Sequence, residues 1–428
     1  MSSMPVLRGH SYFMGNRAVI LFLNFFLIIL AYYQVKSASR SLLIEYWGAD
    51  HLPYVWVVSA LVLGSFIGIY HRIVERFSRL AVVLSTSLLF IILMLGFRLA
   101  LSTIPETAIL GFYVFVDIFS VILVEQFWSL ANATNRRGDG RRTYWFISSG
   151  GLVGGIAGGA TAAALLKYTP MTTPDLLLSS AVIMMVILGF NFLMGRLGLY
   201  LETPAEQQTL VAKGGWRSLV GNRYLLLIAT ALFCAQLAQP LVEYQLFKTI
   251  EASYPILDER TQYISFLFSI LGFFSLGVNL LLTPIIHRYL GIVAGMLIQP
   301  LMLSLFATGF MAYPTLWMAS AMKICDRGLS YSINRASKEQ LYIPIDPVHT
   351  YQAKAWIDML GYRMFKVVGS MMLLIFTQWP PVALSLGNLS WVTLIVCIFW
   401  IGVLSALARE YRSSFDSEVL VHQQSHSY

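Results

Sequence analysis

Twelve stretches of about 20 apolar residues dominate this sequence of 428 residues. A helix needs roughly 20 apolar residues to cross a bilayer, so each stretch predicts one transmembrane helix. The stretches span residues 18–41, 53–70, 80–101, 107–130, 143–166, 176–194, 224–247, 261–286, 291–311, 316–342, 351–379 and 388–408. Only 12% of the residues are charged, whereas soluble domains carry about 25%. The sequence therefore predicts an all-α, multi-pass membrane protein and excludes a string of soluble domains.

The Lys and Arg residues are divided unevenly between alternate loops, which predicts the orientation. With the N-terminus inside, nineteen of the 29 lie in cytoplasmic segments and five at the outer ends. The net charge of +8 follows this topology, which argues against nucleic acid as a partner. Arg8 and Arg17 precede the first stretch as in a signal peptide, but no small-residue cleavage site follows them. We expect a monomer in the lipid bilayer of a bacterial inner membrane, with both termini cytoplasmic.

Several sequence features recur in the two halves of the chain. Asn16-Arg17 precedes span one as Asn222-Arg223 precedes span seven, and the polar stretch 196–221 separates the halves. We predict an N-terminal six-helix bundle at 1–195, a cytoplasmic linker at 196–221, a C-terminal six-helix bundle at 222–412 and a disordered tail at 413–428. Two six-helix halves joined by a cytoplasmic loop resemble the major facilitator superfamily. The glycine and basic residues of the loop at 68–79 add to that resemblance.

Eleven charged residues lie inside the apolar spans, where a charge costs several kcal/mol unless it meets water or a partner. They are Lys36, Arg40, Asp117, Glu125, Glu243, Lys323, Asp326, Arg327, Asp358, Arg363 and Lys366. Helical spacing places most of them, with other polar residues, on one face of each span. The resemblance to the major facilitator fold implies that spans one, four, seven and ten line a central cavity. Four of the five spans that carry these charges match that set.

These residues support two interpretations. In the first, the polar faces bind and move a solute. The predicted substrate-binding residues are Lys36, Arg40, Asn132, Lys323, Arg327 and Asn334. The predicted gating or coupling residues are Asp117, Glu125, Glu243, Asp326, Lys354, Asp358 and Arg363. In the second interpretation, six cations and five anions form salt bridges that only hold the helices together. Both interpretations remain open.

Other motifs are less informative about chemistry. The glycine-rich stretch 150–159 lacks the strand that a dinucleotide fingerprint requires, and small residues every four positions predict close helix packing instead. Cys234, Cys325 and Cys397 have neither metal-site nor disulfide spacing. No nucleophile–base arrangement is evident. We therefore expect no metal, no cofactor and no enzyme activity.

Three stretches together resemble the ATP/ADP translocase-like nucleotide transporters of bacteria and plastids. They are residues 36–53, 125–132 and 334–363. The motif positions are held by Lys36, Glu125, Asn132, Asn334, Lys338, Glu339, Lys354, Asp358 and Arg363. The resemblance implies nucleotide exchange, with cations of the cavity binding the phosphates. One departure is Ser39-Arg40, which stands where many relatives have an Arg-Asp pair, and it leaves the identity of the substrate open.

The sequence thus predicts a secondary active transporter that works by alternating access and exchanges a nucleotide or a similar phosphorylated anion. A first alternative is proton-coupled transport of a lipid or other amphiphile, with Glu125 or Glu243 as the proton carrier. A second alternative is a membrane receptor or scaffold that transports nothing. In that case the charge pairs would affect only stability.

Overall fold

The computed structural model describes residues 6–74, 76–134, 141–198, 200, 221–342, 357, 361–379 and 381–425. All regular secondary structure in these residues is helical. The first six helices are α1 (Val6–Trp47), α2 (Leu52–Val74), α3 (Arg79–Thr103), α4 (Pro105–Thr134), α5 (Arg141–Tyr168) and α6 (Leu176–Arg196). They are followed by α7 (Arg223–Ser253), α8 (Leu257–Gly277), α9 (Thr283–Tyr289), α10 (Ile292–Ala312), α11 (Leu316–Leu329), α12 (Arg335–Leu341), α13 (Tyr362–Gln378) and α14 (Leu389–Ser425).

Ten helical segments in this part of the chain are long and apolar enough to cross a membrane. They include α8 and α9 as one continuous segment, joined by a π-helical stretch at Val278–Leu282. Predicted span ten is covered by α11 and α12, which a second π-helical stretch joins at Ser330–Asn334. Predicted span eleven begins outside the described residues and continues as α13. The predicted all-α membrane fold is confirmed.

Helix ends follow from local residues. Gly48 and Gly291 adopt φ angles of 75° and 90°, which end α1 and α9 at little cost because glycine has no Cβ. The hydroxyl of Thr315 accepts a hydrogen bond from the Met318 N–H at the start of α11. At the other end of the chain, α14 continues to Ser425 where the sequence predicts a disordered tail. A helix that has already formed extends at small cost per residue, since nucleation is the expensive step.

The chain divides into two compact units. The first unit comprises Met1–Gly48, Leu61–Pro204 and Tyr254–Phe273. The second unit comprises Ala49–Ala60, Ala205–Ser253 and Phe274–Tyr428. In the first unit α1 packs most extensively on α5, and α3 packs on α6; in the second, α7 packs against α13 and α14.

The glycines of α5 allow α1 to approach it closely. A Cβ added at Gly154 would lie 2.5 Å from the Phe26 carbonyl oxygen, and one at Gly158 would lie 2.7 Å from the Leu30 carbonyl oxygen. No real Cβ tolerates such distances to backbone atoms. The close helix packing predicted from the glycine spacing is therefore confirmed, and it brings α1 to the position from which Lys36 and Arg40 project.

Candidate functional site

In the first unit, Arg40 on α1 forms a buried ion pair with α4. Its Nη2 donates to Asp117 Oδ1 at 2.8 Å, and its Nη1 donates to Ser39 Oγ at 2.9 Å. The guanidinium carbon lies 4.3 Å from the centroid of the Tyr113 ring. Only 5% of Arg40 is exposed. A predicted substrate-binding cation is thus brought into contact with a predicted gating acid.

Lys36 lies one helical turn before Arg40 on α1 and is surrounded by aromatic rings. Its Nζ is 4.5 Å from the Phe268 ring centroid, 4.9 Å from that of Tyr33 and 5.3 Å from that of Tyr32. Such rings attract an ammonium group through their negative faces. The rings hold the charge at a half-buried position.

Two further predicted residues lie on α4 beyond Asp117. Glu125 is exposed, and none of the ion pairs between described residues includes it. The gating or coupling role of Glu125 therefore stays a prediction. Asn132 is also exposed, and its Oδ1 accepts a hydrogen bond from the Tyr144 hydroxyl at 3.0 Å.

In the second unit, Lys323 on α11 forms a buried ion pair with α7. Its Nζ lies 2.9 Å from Glu243 Oε2, and the Lys323 side chain is 4% exposed. Gln239, one turn before Glu243, donates to the same oxygen at 3.4 Å. Two residues that the sequence assigns to binding and to gating are again brought together. The pair is a counterpart of Arg40 and Asp117 in the first unit.

A second polar group surrounds the end of α11. Gln299 on α10 donates from Nε2 to Asp326 Oδ1 at 3.0 Å, and its Oε1 accepts a hydrogen bond from Asn334. Asp326 Oδ2 lies 3.8 Å from Arg327 Nε, and the Arg327 guanidinium carbon lies 5.7 Å from the Tyr331 ring centroid. The structure thus joins Asp326 and Asn334 through Gln299, which the sequence did not single out, and Arg327 lies beside Asp326.

Three further predicted residues lie wholly or partly outside the described part of the chain. Lys354 and Asp358 lie outside the described residues. Arg363 belongs to α13, but its side chain is not described. Lys366 on the same helix is half-buried, with Nζ 5.9 Å from the Trp56 ring centroid.

Two further cations have acidic partners that the sequence did not indicate. Lys248 Nζ lies 2.8 Å from Asp50 Oδ2, and the Tyr244 hydroxyl donates to Asp50 Oδ1 at 2.6 Å. Arg260 Nη1 lies 2.9 Å from Glu45 Oε2. The only available signal was that both acids follow the first span within ten residues of Arg40. Their partners lie some 200 residues away, where helical periodicity carries no information.

The first unit also contains a small cavity among α1, α3, α4 and α6. Its polar lining is neutral and includes Asn24, Ser87, Gln126, Asn191 and Tyr200. The Tyr200 hydroxyl donates to Asn191 Oδ1 at 2.7 Å, and burial raises the pKa of Tyr200, which keeps this donor protonated. The cavity holds about one water-sized molecule. It is therefore too small to be the site of an organic solute.

Several residues of these charge clusters lie in a part of the chain that matches a known protein family. The model of the family described as "TLC ATP/ADP transporter" matches residues 107–322 and 311–411, which is more than half of the chain. This chain belongs to that family. TLC membership agrees with the resemblance carried by the sequence motifs, and both matched segments include residues of the ion-paired clusters described above.

Individual TLC-type relatives are distant and longer. ADP,ATP carrier protein 2 of Chlamydia pneumoniae is 28% identical over 220 residues, which cover 46% of this chain and 40% of that protein. ADP,ATP carrier protein 4 of Rickettsia conorii is 24% identical over 241 residues, covering 50% of this chain and 46% of that protein. The matched region thus spans less than half the length of these curated relatives.

Solved structures share the fold of this TLC family member. The nucleoside transporter NupG has a TM-score of 0.55 at 16% identity, covering 93% of this chain and 98% of that one. The POT family transporter PepTSo has a TM-score of 0.65 at 13% identity, with the same coverage. These are transporters of the major facilitator type. The chain therefore has an integral, multi-pass membrane fold and belongs to a family of transporters, not of enzymes.

Proposed function

We propose that this protein is a secondary active transporter that exchanges a nucleotide, or a similar phosphorylated anion, across a bacterial inner membrane. The observation that carries the proposal is the family match over residues 107–411, which includes Asp117, Glu243 and Lys323. The names of the curated relatives, ADP,ATP carriers, support a nucleotide as the solute. The charge distribution of the loops supports cytoplasmic termini.

Buried cations supply the chemistry that a phosphate requires. Arginine and lysine form strong, charge-assisted hydrogen bonds with phosphate oxygens. Arg40 and Lys323 are each paired with a carboxylate, Asp117 and Glu243, which satisfies the cation when no solute is bound. An arriving phosphate would replace the carboxylate, and the released acid would then be free to change partner during alternating access.

The other predicted residues take supporting roles in this proposal. Lys36 offers a phosphate contact from within its aromatic surroundings, and Arg327 offers another from α11. Asn132 and Asn334 would bind neutral parts of the solute. Asp326 and Glu125 would couple binding to conformational change. The same role is proposed, from the motif resemblance, for Lys354, Asp358 and Arg363.

Ligand-dependent thermal stability of the purified protein tests the proposal. A ligand at 100 times its Kd stabilises the folded state by about 2.7 kcal/mol, so ATP or ADP should raise the Tm by several degrees while nucleosides should not. Lys36→Met should abolish that shift. Lys167→Met is the matched control, because Lys167 is an exposed lysine at the end of α5.

A different ligand profile would contradict nucleotide exchange. Stabilisation by lipids or amphiphiles alone, together with a proton influx that Glu243→Gln abolishes, would support proton-coupled transport instead. If every phosphorylated solute leaves the Tm of the native protein unchanged, the proposal is wrong.

A further inference from the structure

Four aromatic side chains form a continuous group in the first unit, on α1, α4 and α5. We call Phe25, Phe127, Trp128 and Tyr144 the aromatic platform. Phe25 and Phe127 are stacked, with ring centroids 4.3 Å apart and planes 6° apart. Trp128 meets both in edge-to-face contacts, at 5.6 Å from Phe25 and 5.3 Å from Phe127. Tyr144 lies parallel to Trp128, with planes 6° apart and centroids 6.4 Å apart.

The four rings differ in their accessibility. Phe25 and Phe127 are buried, at 8% and 2% exposed, and both pack against the indole ring of Trp128. Gly151 of α5 leaves room for the Phe25 ring, which a Cβ at that position would contact too closely. Trp128 and Tyr144 are only half-buried. The platform therefore has a rigid buried base and two parallel rings that are partly open.

A hydrogen-bonding group adjoins the open rings. Asn132 lies one helical turn after Trp128, and its Oδ1 accepts a hydrogen bond from the Tyr144 hydroxyl at 3.0 Å. The amide nitrogen carries two further donors. Within the described part of the chain no hydrogen bond engages them. An exposed amide beside stacked aromatic rings is suited to the edge of a heteroaromatic base.

We propose that the aromatic platform and Asn132 bind the base of the transported nucleotide. The inference rests on the proposed function, which supplies the nucleotide. Stacking of a base on an aromatic side chain contributes about tenfold or more in affinity. Asparagine amides bind the edge of adenine through N6 and N7, which favours a purine. The proposed solutes are thereby restricted from phosphorylated anions in general to nucleotides, whose base stacks on the aromatic platform.

The spacing along α1 agrees with this assignment. Phe25 and Lys36 are eleven residues apart, which corresponds to about 16 Å along a helix that rises 1.5 Å per residue. That distance is comparable to the length of an extended nucleoside di- or triphosphate. The axial spacing therefore matches a molecule with its base on the platform and its phosphates near Lys36, and Arg40 lies one turn further on.

Affinities for ATP and for inorganic tripolyphosphate separate base contacts from phosphate contacts. In the full-length protein, Trp128→Leu should weaken ATP binding about tenfold and leave tripolyphosphate binding within twofold. Trp145→Leu is the matched control, because Trp145 follows Tyr144 in the chain but is 50% exposed and outside the platform. It should change neither affinity. Tripolyphosphate binding also reports whether each variant is folded.

A second variant keeps the test decisive if Trp128→Leu fails to fold. Asn132 is exposed, so Asn132→Leu should leave the packing intact, weaken ATP binding severalfold and spare tripolyphosphate. Equal losses for both ligands, or unchanged ATP binding, would overturn the base assignment while leaving nucleotide exchange intact. If the native protein binds neither ligand, the proposed function fails together with the inference.

Discussion

At the residue scale, two buried ion pairs, Arg40 with Asp117 and Lys323 with Glu243, allow a structural role or a transport role for the charges. A buried pair contributes little to stability relative to apolar residues of the same shape. We therefore expect these pairs to serve transport as well as holding the helices together. Removing one partner nevertheless leaves the other charge buried and unpaired, so single variants confuse the two roles.

Paired substitutions at Lys323 and Glu243 separate the structural role from the transport role. Lys323→Met should lower the free energy of unfolding by about 3–5 kcal/mol, because Glu243 then lacks its partner at 2.9 Å. Adding Glu243→Gln should restore most of that loss, as measured by chemical denaturation in detergent. We expect the double variant to be stable but inactive in exchange. Wild-type exchange by the double variant would show that the pair is only structural.

Arg40 should not be replaceable by lysine. Arg40→Lys keeps the charge near Asp117 but loses the hydrogen bond to Ser39 and the guanidinium contact with the Tyr113 ring. We expect a loss of about 1–2 kcal/mol in the free energy of unfolding. Arg98→Lys is the control, since Arg98 and its partner Asp175 are more exposed and such pairs contribute about 0–1 kcal/mol. Equal losses in the two variants would contradict the role assigned to the Arg40 surroundings.

At the element scale, the glycines of α5 set the distance between α5 and α1. Gly154→Ala places a Cβ 2.5 Å from the Phe26 carbonyl oxygen, so the two helices must separate. We expect destabilisation by about 1–3 kcal/mol, visible as a lower Tm. Gly96→Ala in α3 is the matched control, because its Cβ would meet nothing within 4 Å, and alanine favours a helix by up to about 1 kcal/mol. A lower Tm in both variants would refute the close-packing explanation.

The same elements show what could be predicted from sequence. Apolar length and glycine spacing are local properties, and they correctly predicted the helices and the close packing of α5 on another helix. The π-helical stretches at Val278–Leu282 and Ser330–Asn334 were missed, because one extra residue per turn hardly alters an apolar pattern.

The pairing of charged residues was harder to predict from the sequence than the helices. The charged members of the clusters were found because a charge in an apolar span is conspicuous. The sequence did not predict which acid pairs with which cation, since Asp117 lies 77 residues from Arg40 and Glu243 lies 80 residues from Lys323.

At the scale of the whole molecule, the proposed orientation can be tested by cysteine labelling. The native cysteines Cys234, Cys325 and Cys397 are buried and give a low background. Tyr168 and Tyr289 are 76% and 73% exposed and are the last residues of α5 and α9, whose ends the loop charges place at opposite surfaces. A membrane-impermeant maleimide should label Tyr168→Cys in intact cells. Tyr289→Cys should react only after permeabilisation, and the reverse pattern would invert the topology.

Counter-exchange in proteoliposomes tests the central claim most directly. Purified protein is reconstituted into vesicles that contain ADP, inorganic phosphate or buffer alone, and the uptake of labelled ATP is measured. We predict rapid uptake only into vesicles loaded with a nucleotide, with one molecule leaving for each that enters, and loss of uptake in Lys36→Met but not in Lys167→Met. ATP uptake that is absent under all loadings, or that is independent of the internal solute, would contradict nucleotide exchange.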